Sequence, residues 1–307
     1  MPKSPFAAAF LLLAVAVHAV ELASEYSGPI EAGRMAEPRN LEQSGLAVSR
    51  RTPGLLWTHN DSGGEPTLFA LNLDGSLRGS IQLTGVTNRD WEEVAAFELD
   101  GKAWLMAAEI GDNFAKHAQS MLHVIAEPDA ARLDPAKPLA LAPDYTIHFS
   151  YEDGPRDCEA LAVDPQERVI YLLTKRDLPN RLYRLPLAAA PADKAAVAHF
   201  IGTIWEFPQP DGVQRLSPLP AVGLSGWPTA MNFLPDGSGA LVLTYGGIYL
   251  FPRRPGESWP AAFTHEPHRL PPFQLPQAES IAVTPDGSEI YLCSERTPQL
   301  FRYERKK

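Results

Sequence analysis

The chain has 307 residues, with 27 Lys and Arg against 37 Asp and Glu and a formal charge of −10. Hydrophobic residues make up 45% of it, enough for a sizeable core, which excludes wholesale disorder. The acidic balance argues against a nucleic-acid sleeve or an anionic membrane surface as partner, and 30 prolines argue against a helical bundle.

The first element is an address. Lys3 precedes an apolar run from Phe6 to Val17, and Val17-His18-Ala19 has small residues at the spacing a signal peptidase prefers. Residues 1–19 read as a secretory signal peptide and 20–307 as one domain, expected in the periplasm or outside the cell. The apolar run is too short to span a bilayer comfortably, and no later segment is a candidate span.

Past the leader, short β-rich runs are separated by Gly, Pro and Asp turns. Five runs share one form: an oxygen-bearing residue, then an apolar stretch. They open at Ser44, Glu92, Glu159, Thr229 and Glu279. Each is followed by a turn (Thr52-Pro53-Gly54, Asp100-Gly101, Asp164-Pro165, Asp236-Gly237, Asp286-Gly287) and then by a second β run. The openings lie about 50 to 70 residues apart, the size of a four-stranded propeller blade with its loops. After Glu279 the chain has room for only three strands, so a strand around Tyr26 to Met35 is expected to complete the last blade and remove its open edge. The reading is an all-β, five-bladed propeller, with six blades as the alternative if residues 207–226 hide a degenerate one. Cys158 and Cys293 fall on non-adjacent repeats and are expected to stay unpaired. The chain is expected to be a monomer.

In a propeller, the start of each first strand and the end of each second strand lie on one face. The first ring is then Ser44, Glu92, Glu159, Thr229 and Glu279. Three carboxylates converging on one axis repel one another, and a hard cation with oxygen ligands, Ca²⁺ best of all, resolves the conflict. Backbone amides bonded to each Glu are the plainer alternative. About 16 residues after each opening stands a second, chemically mixed ring: His59, Glu109, Lys175, Tyr245 and Glu295. Asn60, Asp61, Asp112, Asn113, Arg176 and Arg296 lie just beyond it. A column kept only for packing would repeat one residue type; this one suggests a working pocket.

Several segments resemble a family of exported bacterial propellers largely without assigned activity. They are Ser44-Gly45-Leu46-Ala47, Trp57-Thr58-His59-Asn60-Asp61-Ser62-Gly63, Asn88-Arg89-Asp90-Trp91-Glu92, Ile110-Gly111-Asp112-Asn113, Asp157-Cys158-Glu159-Ala160-Leu161, Thr174-Lys175 and Ser294-Glu295. The order Ser, Glu, Glu, Thr, Glu is also similar to the axial-calcium pattern Ser, Glu, Glu, Ser, Glu of the calcium-activated nucleotidases, the secreted apyrases. Ser44, Glu92, Glu159 and Glu279 match it and Thr229 departs by a methyl group. That resemblance implies a five-bladed fold with calcium on the axis, and little about substrate.

The leading functional expectation is a calcium-dependent hydrolase of a small, oxygen-rich or anionic substrate: a phosphoester, phosphoanhydride or ester. The cation acts as Lewis acid and His59, Asp61 or Glu109 as base. Lys175, Arg176 and Arg296 offset developing charge, and Tyr245 donates a proton or hydrogen bond; Glu295 completes the catalytic set. The alternatives are a calcium-stapled binding module without activity and a lactonase-like propeller. A P-loop, a GxGxxG ahead of a helix and a GxSxG elbow are all absent from the sequence, so nucleotide cofactors and a serine nucleophile have no support.

Overall fold

The computed structural model describes residues 25–35, 37, 39–40, 42–188 and 194–306; the predicted signal peptide lies outside the described residues. The turn chemistry acts as expected. Asp236 Oδ1 and Asp286 Oδ1 each accept the backbone N–H two residues on at 3.0 Å, while Gly237 and Gly287 take φ of 69° and 70°. Only glycine adopts that region without strain, so each Asp-Gly pair reverses the chain into a hairpin.

Among the described residues the strands form sheets of 4, 8, 4 and 5 strands, within which the antiparallel pairings mark out five four-stranded units, the first extended by the parallel strand Leu139–Leu141. The innermost strands are Gln43–Val48, Trp91–Leu99, Cys158–Asp164, Pro228–Phe233 and Ala278–Val283. Each pairs with the strand that follows its hairpin turn. In the last unit the fourth strand is N-terminal: Tyr26–Arg34 pairs with Gln299–Arg305, with Ile30 opposite Arg302. Beyond this, the outer strands of units 2 and 3 join in parallel, Phe149 opposite Ala196. Residues 207–226 contain only the 3-10 turn Gln214–Leu216 and the short helix Pro220–Gly223, and no strand.

Burial shows how the units close into a ring. Among the described residues there are five apolar clusters, and each joins two neighbouring units. Leu55 and Trp57 meet Val94 and Leu105 between units 1 and 2, and Phe97 and Met106 meet Leu161 and Tyr183 between units 2 and 3. Leu173 meets Met231 and Phe251, and Leu243 meets Ile281 and Leu292. The fifth cluster returns from Ala282 and Tyr291 to Leu46 and Phe69, uniting the last unit with the first. The protein is therefore an all-β propeller. Cys158 and Cys293 are buried free thiols in units 3 and 5. Among the described residues, no helix is long and apolar enough to cross a membrane.

Polar locks reinforce the apolar seams. Glu127, 1% exposed, ends the third strand of unit 2 and reaches into unit 1. It accepts Trp57 Nε1 at 2.8 Å, the Ser49 hydroxyl, and the backbone N–H of Arg50 and Arg51 at 3.0 and 3.2 Å. A carboxylate with four donors satisfies both itself and groups that would otherwise be buried unpaired. Asp164 does the same between units 3 and 4, taking Trp259 Nε1 at 2.8 Å. The substitution Glu127→Ala should cost about 3 kcal/mol of unfolding free energy, with Glu127→Gln losing clearly less because it keeps one acceptor. Urea titrations of the three proteins check this; a loss below about 1 kcal/mol for Glu127→Ala would remove the lock from the account.

Candidate functional site

One backbone hydrogen bond, repeated five times, defines the mouth of the ring. The N–H of Asp61, Gly111, Lys175, Tyr245 and Glu295 donates to the carbonyl of Glu42, Asp90, Asp157, Trp227 and Gln277 respectively, at 2.8, 3.2, 3.0, 3.3 and 3.1 Å. Each acceptor lies two residues before an opening residue. Each first hairpin carries a β-bulge at or beside its opening residue, which re-aims the side chain there, and in unit 2 oxygens of Asp90 and Glu92, two residues apart, come within 4.8 Å of each other. The mouth therefore combines three stations per unit: the opening residue, the one two before it, and the donor across the hairpin.

This register corrects the second ring. Lys175, Tyr245 and Glu295 stand where the spacing puts them, but in units 1 and 2 the stations fall to Asp61 and Gly111, not His59 and Glu109. The reason is hairpin length: the first hairpin loop spans 49–54 where that of unit 3 spans 165–168, and the unit 2 strand Trp91–Leu99 has 9 residues. Glu109 is fully buried and faces Arg89, accepting its N–H at 3.2 Å and pairing with its guanidinium at 3.4 Å. His59 is also fully buried, with its ring edge against Trp91 at 5.7 Å. Burial holds its imidazole down to about 4, so it is neutral and has no route to solvent.

The opening residues converge. Ser44 Oγ donates to the Glu92 carbonyl at 3.0 Å and lies 3.5 Å from Glu92 Oε2; Thr229 Oγ1 donates to the Ala278 carbonyl at 2.9 Å. Both hydroxyls thus tie an inner strand to the next unit. Glu92, Glu159 and Glu279 are 4%, 4% and 6% exposed. Burial raises the pKa of all three. Glu159 adds to the rise at Glu92, and Glu279 to that at Glu159, while Lys175 works the other way at each. The Lys175 ammonium bonds Glu159 and lies 3.1 Å from the Tyr245 hydroxyl, which donates to Glu279 Oε1 at 2.6 Å. Two of the three axial glutamates are therefore met by protein groups.

Glu92 belongs to a different cluster. Oxygens of Asp61, Asp90 and Glu92 all lie within 4.8 Å of one another, about the widest separation of two oxygens bound to one Ca²⁺ at roughly 2.4 Å. Two further features fit a cation there. Asp61 Oδ1 is buried without a hydrogen-bond partner. A Cβ at Gly111 would collide with the carboxylates of Glu92 and Asp90, so the missing side chain makes their room. Burial, reinforced by Asp90, Glu279, Glu295 and Glu42, pushes Asp61 up to about 7. Burial and then Glu279 push Glu295 to about 7 as well, and burial and then Asp157 raise Asp90.

The remaining predicted residues ring this cluster. Arg176 bonds Asp157 and Asn113, with its guanidinium 4.5 Å from the Trp227 ring centre. Arg296 donates to Gln277 Oε1 at 2.6 Å and pairs with Glu295 at 3.2 Å, with its side chain 54% exposed. Asn60 Nδ2 donates to the Arg39 carbonyl at 2.5 Å, and Asp112 receives the N–H of His117 at 2.7 Å. Sequence reasoning named Asp61 but gave Asp90, Gly111 and Trp227 no place in the site. The signal was available: Glu42, Asp90, Asp157, Trp227 and Gln277 form their own column two residues ahead of the openings.

No protein-family model and no curated protein matches the chain. Among solved structures it is similar to the PQQ-bound form of an aldose sugar dehydrogenase from Streptomyces coelicolor, at 12% identity and TM-score 0.44, over 94% of this chain and 100% of that one. It is also similar to XC5397 from Xanthomonas campestris, a gluconolactonase, at 10% identity and TM-score 0.48, over 92% of this chain and 98% of that one. The Neurospora crassa Pan2 WD40 domain follows at 10% identity and TM-score 0.43, over 94% and 98% of the two chains. At these identities and scores no substrate or cofactor passes from those proteins to this chain.

Proposed function

We propose that the mouth of the ring is a divalent-cation-dependent hydrolytic site, with Ca²⁺ as its cation. The observation that carries this reading is the triad Asp61, Asp90 and Glu92, whose oxygens share one small volume beside an ammonium and a phenol. The three carboxylates would hold the ion. When bound, it supplies Lewis-acid polarisation of a carbonyl or phosphoryl oxygen. Lys175 stays protonated at neutral pH, because the carboxylates around it outweigh the cost of its burial, and it offers fixed positive charge to a developing oxyanion. Tyr245 keeps its proton, its pKa raised by burial, and orients the Lys175 ammonium. Glu295, near 7, is matched in pKa to taking a proton from water and returning it to a leaving group.

Charge balance favours one class within this reading. Asp61, Asp90, Glu92, Glu159, Glu279 and Glu295 crowd Lys175 and one divalent ion so closely that their pKa values are raised, and a phosphate dianion would add charge where the protein already disfavours it. A neutral ester or lactone would not, and the exposed Arg296 suits an anionic tail on such a substrate. A second reading, a cation that only staples the units of a binding module, draws on Lys175: its ammonium already offsets Glu159 without any ion. With the leader of residues 1–19 we place the protein outside the cytoplasm, where calcium is plentiful.

Two experiments test the site. A panel of lactones, carboxyl esters, phosphoesters and nucleoside diphosphates is offered to chelated protein with and without Ca²⁺. Turnover of a lactone or ester should appear only with the ion, fall at least about a hundredfold in Lys175→Met, and be lost in Glu92→Gln along with about tenfold or more in ion affinity. Full turnover in Glu92→Gln would refute the site; silence across the panel, with an ion-raised melting temperature, would leave the staple.

The second experiment uses pH. Asp61 and Glu295 titrate near 7 in the fold and near 4 when unfolded, so the folded state holds extra protons between these values. Their contribution to stability is complete below about pH 4 and is lost as pH rises through about 7. The melting temperature of chelated protein should therefore fall between about pH 5 and pH 8, and saturating Ca²⁺ or the double variant Asp61→Asn, Glu295→Gln should flatten the fall. A flat chelated profile would show that these carboxyls are not held protonated.

A further inference from the structure

The end of the ring opposite the mouth holds a cavity of 460 Å³, within the range of about 300–1,000 Å³ typical of small-molecule sites. Its walls come from the hairpin turns at Pro165, Pro235 and Pro285 and from an aromatic pair: Phe233 stacks on Trp259 with ring centres 3.9 Å apart. Two guanidiniums reach it, with opposite standing. Arg253 is fully engaged: it lies over Trp259 at 4.2 Å, donates to the Glu257 carbonyl at 2.7 Å and to Glu167 at 2.8 Å, and stands 4.0 Å from Asp164. Arg50 is not. Its Nε donates to the Ala96 carbonyl at 3.1 Å. Among the described residues, no carboxylate comes within ion-pair distance of its guanidinium. Glu127 and Glu98 act on it only from a distance, and Glu127 is spent on Trp57, Ser49 and backbone amides. Burial lowers the pKa of Arg50, the mark of a cation with too little compensation.

We propose that this cavity binds a small monocarboxylate with an aromatic or aliphatic body, its carboxylate on the Arg50 guanidinium and its body against Phe233 and Trp259. A carboxylate matches the planar fork of an arginine, and in partly desolvated surroundings the pair is worth more than at an open surface. The lining also contains Glu98, exposed at the rim, and Asp164, already bonded to Trp259. Those two negative charges disfavour a dianion, so the cavity selects a carboxylate over a phosphate. The site shares no residue with the carboxylate mouth and does not depend on the cation assigned there.

The test is calorimetric titration of 3-phenylpropionate, with 3-phenylpropan-1-ol as the neutral match and inorganic phosphate as competitor. The acid should bind wild-type protein with a Kd of about 1 mM or tighter, and the alcohol about tenfold more weakly. Arg50→Met should lose about tenfold and Arg50→Lys less, with melting temperatures recorded for both. Phosphate should not displace the acid, and Glu92→Gln should bind it as the wild type does. Absence of binding, equal affinity for acid and alcohol, displacement by phosphate, or unchanged affinity in a folded Arg50→Met would each overturn the proposal. If Arg50→Met fails to fold, the acid–alcohol comparison on wild-type protein and the Arg50→Lys variant decide.

Discussion

The mouth of this ring is built around an electrostatic debt: more carboxylates are brought out of water than the protein has cations to meet. Lys175 sits among Glu92, Glu159 and Glu279, and each draws its pKa upward. Asp61, Asp90 and Glu295 press in from the neighbouring stations, and burial raises the pKa of all three. A fold has three ways to meet such a charge: protonate it, pair it or bind a cation. The mouth divides the work. Glu159 is paired by Lys175, and Glu279 takes the proton of Tyr245 in a hydrogen bond. Among the described residues, Asp61, Asp90 and Glu92 have no ion pair, and Glu92 has only the Ser44 hydroxyl at 3.5 Å; theirs is the corner where oxygens gather at cation-binding distances.

A buried charge imbalance needs a rigid frame, and the frame lies elsewhere. Five apolar seams, one between each pair of neighbouring units, close the ring without using the mouth. The Trp57–Glu127 and Trp259–Asp164 bonds bridge units well away from the axial carboxylates. Just below the mouth, Glu93 is fully buried and accepts its neighbour's amide, Val94, at 3.0 Å. Burial raises its pKa strongly, while the amides of Val94, Leu46 and Met231 offset part of the rise. Its second oxygen, Oε2, is buried without a hydrogen-bond partner, so Glu93 adds to the uncompensated carboxyls at this end of the ring.

The repeat was legible in the sequence because turn chemistry is local. Asp-Gly and Asp-Pro pairs reveal where hairpins reverse, and the openings at Ser44, Glu92, Glu159, Thr229 and Glu279 mark the inner strands without further context. The closing strand at Tyr26–Arg34 could be inferred because a last unit with three strands leaves an edge. The second ring was legible only where hairpins have equal length. Lys175, Tyr245 and Glu295 come from units with the same count across the turn. Against that count a longer loop moves the station by one residue in unit 1 and a longer strand moves it by three in unit 2, shifts that fixed spacing cannot detect. Those shifts exchange a buried His59 and Glu109 for Asp61 and Gly111, which changes the chemistry assigned to the site.

Gly111 illustrates why a catalogue of functional side chains misses part of a site. Its contribution is an absence: where its counterparts carry Lys175, Tyr245 and Glu295, it leaves space that the carboxylates of Asp90 and Glu92 fill. The bulge at Glu92 brings its carboxylate beside that of Asp90, and they converge only if nothing stands opposite. With a side chain at 111, one carboxylate would have to turn away, and the Asp61–Asp90–Glu92 cluster would lose an arm. The asymmetry of the mouth follows from this. A five-fold repeat with five similar side chains would focus on the axis; one glycine in the second unit draws the oxygen cluster off the axis, toward Asp61. Lys175 and Tyr245 meanwhile bond to Glu159 and Glu279, so the ammonium and phenol serve one side of the mouth and the oxygen cluster gathers on the other.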